Sequence, residues 1–231
     1  MSRSHLYVPG NAPEELARAL GHGADTVIVD LADSVPEEDR ESTRGKVAQW
    51  LGGLPPDVDV WVRINPGPLG HEDARHIVGP RLHGVCVAKT ESTTQLDALD
   101  AVLSSVENEV GLPARTIAVA PLLESAGAIL AAPAIARAPR VVRLHTGEAD
   151  LLQELGIEPS ADERELLWIR SQVVLASAAA GLAAPVAAVS TDVGDSERLR
   201  VTTTAMKQLG FRGRACDHPA QIDVVNMVFT S

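Results

Sequence analysis

Aromatic residues are scarce in this sequence, where Phe, Trp and Tyr together make up 3% of 231 residues. A core must therefore be built mainly from Ala, Val, Leu and Ile, which suits helices packed around a parallel sheet. Apolar runs are also short, and none reaches the roughly 18 residues that a membrane-spanning helix requires. The first ten residues lack the apolar centre of a signal peptide, so we expect a cytoplasmic protein with no membrane partner.

Positive charge and cysteine are also limited. Lys and Arg total 20 against 31 Asp and Glu, which gives a net charge of −11. Because nucleic-acid-binding proteins usually present a positive surface, we expect no nucleic-acid partner. An anionic substrate would then be held by a few local cations or by a metal. Cys86 and Cys216 lie far apart in apolar stretches, which favours reduced core residues over a disulfide.

A short apolar run, a polar loop and a helical segment recur in this order along the chain. The predicted strands are Leu6–Val8, Thr26–Asp30, Val58–Ile64, Gly84–Ala88, Thr116–Pro121, Val141–Leu144, Val186–Val189 and Gly213–Cys216. Eight such units predict a (β/α)8 TIM barrel that forms a single domain over residues 1–231. A doubly wound open sheet is the alternative, but that fold more often brings a glycine-rich phosphate loop, and no such motif occurs here.

Several polar residues are candidates for helix starts. Capping-box spacing joins Asn11 with Glu14, Ser92 with Gln95, and Ser160 with Glu163. Asp195 is a further candidate N-cap, for a helix that Gly210 would end. The longest helix candidate covers Asp162–Gly181.

Polar side chains follow nearly every predicted strand, at the carboxyl ends where barrel enzymes form their active sites. In chain order they are Pro9-Gly10-Asn11, Asp30 with Asp33, Arg63 with Asn65, Lys89 with Glu91, Glu124, Glu148 with Asp150, Asp192, and His218 with Gln221. General loop polarity explains part of this pattern. It explains Glu124 less well, because a partly buried carboxylate after an apolar run requires a cation or hydrogen-bond donors. Carboxylates from separate strands, without a histidine cluster, favour Mg²⁺ over zinc.

Seven sequence blocks carry a resemblance to a known family. They are Arg3–Asn11, Asp30–Val35, Val62–Asn65, Ala88–Ser92, Leu123–Gly127, Gly147–Leu151 and Gly210–Gly213 continuing through His218–Ile222. Each block is weak alone. Together and in this order, they resemble the citrate lyase β-subunit-like family of the HpcH/HpaI aldolase superfamily.

The resemblance implies a (β/α)8 barrel that binds Mg²⁺ and makes or breaks a C–C bond in a hydroxyacyl-CoA thioester, such as citryl-CoA or malyl-CoA. It assigns the metal ligands to Glu124 and Asp150, and the carboxylate-binding arginine to Arg63. The implied partners are an oxo-acid and a CoA thioester. Because such proteins commonly form trimers or hexamers, we expect a homotrimer.

The remaining site assignments leave alternatives open. Arg63, Lys89 and Glu124 are the expected substrate-binding residues, and Arg63, Asp30 and Asp33 the expected catalytic ones. Asp30 and Asp33 suit three roles: a base, a carboxylate that acts through metal-bound water, or a helix cap. Lys89 suits an ion pair, a substrate anion or, as an alternative, a Schiff base. A structural role for Arg63 would require a fixed carboxylate such as Asp30 or Glu124, whereas a substrate role requires a guanidinium that faces open space.

Two departures from the family pattern widen the range of functions. Ala32 stands where the family usually has a glutamate, and the chain ends soon after the last predicted strand. We therefore expect a shortened C-terminal lid segment. The alternatives to the lyase are a metal-dependent aldolase or thioesterase on other oxo-acids or CoA esters, and a non-catalytic barrel subunit.

Overall fold

Eight parallel strands close into a barrel in the computed structural model, which describes residues 2–190 and 193–230. The strands are β1 Ser4–Pro9, β2 Thr26–Asp30, β3 Val60–Ile64, β4 Gly84–Val87, β5 Ala118–Leu123, β6 His145–Thr146, β7 Val186–Ala187 and β8 Gly213–Cys216. They pair in chain order, and β8 closes the ring against β1. The predicted TIM barrel is confirmed. Asp192, one of the predicted strand-end residues, lies outside the described residues.

Helices surround the barrel. They are α1 Pro13–Arg18, α2 Arg40–Gly52, α3 Gly67–Ile77, α4 Thr93–Glu109, α5 Ala126–Ile135, α6 Glu148–Leu155, α7 Leu167–Ala179, α8 Ser196–Leu209 and α9 Ile222–Thr230. The main apolar core lies between these helices and the outer faces of the strands. Within the described ranges, no helix is long and apolar enough to cross a membrane.

The barrel interior holds a smaller cluster, in which Ile28, Cys86 and Ala120 pack together with Tyr7 against them. Cys86 and Cys216 are both free and buried, so the expectation of reduced core cysteines is confirmed. The β2–β3 register matters most for function, because it sets Asp30 opposite Arg63.

Two helix boundaries follow the predicted signals. Ser92 and Gln95 form a reciprocal capping box at the start of α4. Asp195 accepts a hydrogen bond from the Arg198 N–H at 2.8 Å, and Gly210 ends α8 with a φ of 115°. In the left-handed region that φ represents, glycine lacks the Cβ clash that other residues meet.

Three predictions about helices are wrong. Asn11 does not cap α1, which begins at Pro13 after an Ala12 N-cap without a side-chain hydrogen bond. Proline presets the helical φ and has no N–H to satisfy. Ser160 and Glu163 start no long helix, because Glu163 has a left-handed backbone, with φ 51°, and only a short 3₁₀ turn precedes α7. The longest helix in the described part of the chain is therefore α4, and not the predicted Asp162–Gly181.

The sixth strand also differs from its predicted position at Val141–Leu144. Val141 makes only an isolated bridge to Val119, and regular pairing begins at β6, where His145 lies opposite Leu122 and Val186. The Val142 N–H still donates to the Val119 carbonyl at 3.1 Å, so this segment lies against β5 without forming a regular ladder, and the Val142 side chain is 41% exposed.

Candidate functional site

A cavity of about 320 Å³ opens at the carboxyl ends of the strands. Five of the six predicted site residues line it: Asp30, Asp33, Arg63, Glu124 and Asp150. The sixth, Lys89, lies next to it and donates its backbone N–H to Glu124 Oε2 at 2.7 Å. The fold therefore brings together all six predicted residues from five separate strand ends, those of β2 to β6, and the segments that follow them.

Arg63 and Asp30 form a two-pronged ion pair at the cavity wall. Arg63 Nε and Nη2 donate to the two oxygens of Asp30 at 2.7 and 2.8 Å. Arg63 thus has the fixed carboxylate that a structural role requires. Its Nη1 makes no hydrogen bond to the described part of the protein, and the side chain remains 14% exposed on the cavity. The same guanidinium can therefore be anchored on one edge and bind a ligand with the other.

Asp30 is held in its ionised form. Burial alone would raise its pKa, but hydrogen bonds and charge from Arg63, with further donors from Ser34 and Ala32, lower the pKa below its usual value. The Ala32 and Ser34 N–H groups donate to Asp30 at 2.9 and 3.0 Å. Because its oxygens are occupied by four donors, Asp30 is a poor proton acceptor.

Asp33 and Lys89 form the outer part of the site. Asp33 Oδ2 lies 3.1 Å from Arg63 Nη2, and Lys89 Nζ lies 3.5 Å from Asp33 Oδ1. Both side chains are about half exposed. The Lys89 backbone is left-handed, with φ 48°, and this conformation accompanies the hydrogen bond from its N–H to Glu124. The half-exposed ammonium is paired with a carboxylate, unlike the desolvated lysine that a Schiff base requires.

Glu124 is the buried carboxylate of the site, with 8% of its surface exposed directly after β5. Burial raises its pKa to about 7, the Lys89 N–H and the charge of Arg63 oppose that rise, and the charge of Asp150 adds to it. The ionised form of Glu124 is therefore incompletely compensated by the protein.

The start of α6 packs directly on Glu124. Gly147 is the N-cap residue of this helix. A Cβ at this position would lie 2.5 Å from Glu124 Cγ. Only glycine leaves room for the Glu124 side chain here. Asp150, in the first turn of α6, then lines the same cavity.

Sequence reasoning missed several residues of this site. Glu148 was noted only as a strand-end residue, but Arg170 of α7 donates to both of its oxygens at 2.7 and 2.6 Å and to Glu163 at 2.7 Å. Tyr7 lines the cavity with its ring 5.5 Å from Arg63 Cζ. No local pattern marks Arg170, which lies inside a helix, whereas Tyr7 lies within the first family-like block.

The residues after β8 divide into two groups. His218 and Gln221, which follow this strand, form a capping box, and Gln221 is buried. Asp217, between β8 and His218, lines the cavity. The strand-end rule would have found Asp217, since it directly follows Cys216.

The pair Glu124 and Asp150 fits a hard divalent cation. Both offer carboxylate oxygens to one cavity, and their mutual repulsion leaves negative charge that a cation would neutralise. Among the described residues no three His, Cys, Asp or Glu side chains form a metal-binding group. The two carboxylates of Glu124 and Asp150 match Mg²⁺, which commonly takes one or two protein carboxylates and completes its shell with water or substrate oxygens.

The sequence profile of the HpcH/HpaI aldolase/citrate lyase family matches residues 3–219. The chain belongs to this family. It is 30% identical over 233 residues to citrate lyase subunit beta of Leuconostoc mesenteroides subsp. cremoris, covering 99% of this chain and 77% of that protein. The family resemblance seen in the sequence is thus confirmed.

Other relatives of this chain are thioesterases and lyases of a different substrate class. The chain is 28% identical to a (3S)-malyl-CoA thioesterase and 26% identical to an L-malyl-CoA/beta-methylmalyl-CoA lyase, both of Cereibacter sphaeroides. Each match covers 99% of this chain, with 77% of the thioesterase and 79% of the lyase. Family membership therefore indicates carbon–carbon lyases and thioesterases without selecting a substrate.

Solved structures agree with the fold. The citrate lyase beta subunit of M. tuberculosis complexed with oxaloacetate and magnesium has a TM-score of 0.83 and 29% identity, covering 100% of this chain and 97% of that one. A second M. tuberculosis structure, with magnesium, acetoacetate and coenzyme A, has the same TM-score and identity and covers 100% and 81%.

Proposed function

We propose that this family member is a Mg²⁺-dependent C–C lyase acting on a hydroxyacyl-CoA thioester such as citryl-CoA or malyl-CoA. The observation that carries the proposal is the cavity shared by Arg63, Glu124 and Asp150 at the carboxyl ends of the strands. Magnesium, oxo-acid and coenzyme A are bound by the M. tuberculosis relatives. Here they are proposed ligands of this chain.

Glu124 and Asp150 would hold the metal. When bound, Mg²⁺ acts as a Lewis acid on the oxygens of the oxo-acid unit. Gly147 leaves the space that the Glu124 side chain fills, and the Lys89 N–H donates to one of its oxygens, Oε2. The protein would thereby present the metal with a preorganised carboxylate pair.

The substrate carboxylate would be held by Arg63. The fork to Asp30 fixes the guanidinium plane and leaves Nη1 for the ligand. We propose that Asp30 acts through Arg63 as a positioning residue, and that Asp33 orients both Arg63 and Lys89. Lys89 supplies a second cation near the cavity. The start of α6, which has no side-chain cap, adds backbone N–H groups that favour an anion.

A homotrimer is part of this proposal. Helix α7 exposes Leu167, Trp168 and Leu175 at 50%, 56% and 62% of their surfaces. An apolar groove of about 290 Å³ between α5, α6 and α7 adjoins this face. Such a surface favours self-association.

A thioesterase is the second candidate. It is favoured by the similarity to the Cereibacter thioesterase and by Ala32, a buried alanine where the family-like pattern has a glutamate. The Ala32 N–H donates to Asp30 at 2.9 Å, so a missing carboxylate at this position alters the charge beside Asp30 and Arg63.

Mass spectrometry of a panel of hydroxyacyl-CoA esters, incubated with protein and Mg²⁺, tests both candidates. A lyase releases an oxo-acid and a shorter acyl-CoA, whereas a thioesterase releases free CoA and the intact hydroxy acid. We expect the lyase products, and their loss in Glu124→Gln and with a chelator. Unchanged esters across the panel would contradict the enzymatic proposal.

A further inference from the structure

The cavity is lined by more carboxylates than the proposed function has assigned. They are Asp30, Asp33, Glu124, Glu148, Asp150 and Asp217. Arg63 pairs with Asp30 and Asp33, and Arg170 pairs with both oxygens of Glu148. Glu124 and Asp150 are the proposed metal ligands. In the described part of the chain, Asp217 is thus the one cavity carboxylate with neither a cationic partner nor a role.

The backbone at Asp217 is held by hydrogen bonds to a buried side chain, while Asp217 itself is exposed. Its N–H donates to Gln221 Oε1 at 3.0 Å, and Gln221 Nε2 donates to the Ser190 carbonyl at 2.9 Å. Gln221 is 1% exposed, so it anchors the loop in the barrel rim. Asp217 therefore offers a carboxylate without a cationic partner to a ligand in the cavity, and its main chain is held in place.

The other candidate bases fit poorly. Asp33 forms ion pairs with both Arg63 and Lys89. Asp30 accepts four hydrogen bonds, and its pKa is lowered. His145 also lines the cavity, but burial lowers its pKa far below the usual value, with His5 and Arg143 adding to the effect. A group in which burial disfavours the protonated state cannot readily take a proton.

We propose that Asp217 is a catalytic residue that transfers the proton of the substrate hydroxyl, an inference that rests on the proposed lyase function. In cleavage, the Asp217 carboxylate takes the hydroxyl proton. The hydroxyl oxygen becomes the carbonyl of the oxo-acid, and the electrons of the broken C–C bond form the thioester enolate. The Asp217 carboxylic acid then gives the same proton to the enolate carbon, which yields the acyl-CoA and restores the carboxylate.

Asp217→Asn tests this role, because it preserves shape and removes the proton acceptor. With the substrate found in the panel, we expect kcat to fall at least ~100-fold, the scale of general acid–base catalysis. Mg²⁺ affinity by calorimetry should stay within about twofold and the Tm within about 2 °C, because the carboxylate supports neither metal nor fold. A second readout is hydrogen–deuterium exchange into the acyl-CoA product, incubated with protein and Mg²⁺ in D₂O, which the variant should lose. Asp223→Asn, an exposed carboxylate on α9, is the matched control and should change none of these values.

The outcomes separate this inference from the proposed function. If the wild-type protein cleaves no ester to lyase products, the lyase proposal fails, and the role of Asp217 fails with it. If the wild type is active and Asp217→Asn keeps kcat within threefold, only the role of Asp217 is wrong. A loss of Mg²⁺ affinity of tenfold or more would make Asp217 a metal ligand, which also overturns proton transfer. Partial recovery of kcat in Asp217→Glu is expected, because the longer side chain keeps the carboxylate.

Discussion

The surroundings of Glu124 couple its charge to the stability of the protein. Burial raises its pKa from 4.5 to about 7, so between these pH values the folded chain binds a proton that the unfolded chain has lost. The corresponding stabilisation is complete below pH 4.5 and is lost as the pH rises through 7. Ionised Glu124 is therefore a destabilising group in the metal-free protein.

Glu124→Gln should consequently stabilise the metal-free protein at pH 8, by about 2–3 kcal/mol, and have little effect near pH 4.5. The measurement is thermal unfolding with a chelator across this pH range. Addition of Mg²⁺ at pH 8 should reverse the order, because only the wild type gains binding energy. A variant that is less stable than the wild type at pH 8 without metal would contradict this description of Glu124.

Arg63→Lys tests whether the guanidinium binds the substrate carboxylate in addition to its ion pair with Asp30. Lysine keeps the charge but loses the planar fork, so we expect kcat/KM to fall by about 2–4 kcal/mol in free-energy terms. The Tm should fall by a few degrees, because the fork to Asp30 is also lost, and Mg²⁺ affinity should barely change.

Arg44→Lys is the matched control for this experiment. Arg44 Nε donates to Asp73 at 2.7 Å in a buried ion pair between α2 and α3, away from the cavity. It should lower stability to a similar extent without lowering kcat/KM. Near-normal turnover in Arg63→Lys together with a large loss of stability would show that Arg63 is only structural.

At the scale of elements, the contact between the end of β5 and the start of α6 determines where the carboxylates of Glu124 and Asp150 lie. Gly147→Ala leaves the backbone unstrained, since φ is −114°, but its Cβ would meet Glu124 Cγ at 2.5 Å and Oε1 at 2.8 Å. We expect Glu124 to move and Mg²⁺ affinity, measured by calorimetry, to fall at least tenfold in a folded protein. Gly79→Ala is the control, because a Cβ there meets nothing within 4 Å. Equal Mg²⁺ affinity in both variants would show that the space at Gly147 is not needed to position Glu124.

The sequence predicted the strands well where a short apolar run is buried on both sides, as in β2 and β8, whose bounds match. It misplaced β6, because the apolar run at Val141–Leu144 joins β5 only through an isolated bridge and regular pairing starts one residue after that run. It missed the break before α7, where Glu163 accepts a hydrogen bond from Arg170. These residues are seven positions apart, and local helix propensity does not predict their contact.

The site was predictable only in part, for a similar reason. Strand ends identified Asp30, Arg63 and Glu124, since polar residues there are visible in a single sequence. The fork between Arg63 and Asp30 depends on the register of β2 against β3, which is set by the closed barrel. The space that Gly147 leaves for Glu124 likewise arises from packing between distant segments.

For the whole molecule, the exposed apolar face of α7 predicts assembly. Light scattering at micromolar concentration should give a mass about three times the chain mass of 24.3 kDa. Leu175→Glu should reduce that mass, because a charge on an apolar interface is costly to bury. Met227→Glu, at an exposed apolar residue of α9, is the control and should leave the mass unchanged. A wild-type monomer would contradict the homotrimer.

The most direct test of the central claim is a crystal structure of the protein with Mg²⁺ and oxaloacetate. We predict one cation about 2.0–2.1 Å from oxygens of both Glu124 and Asp150, with the oxo-acid completing an octahedral shell and its carboxylate on Arg63. The two carboxyl groups lying more than about 8 Å apart, outside any shared coordination shell, would contradict the account.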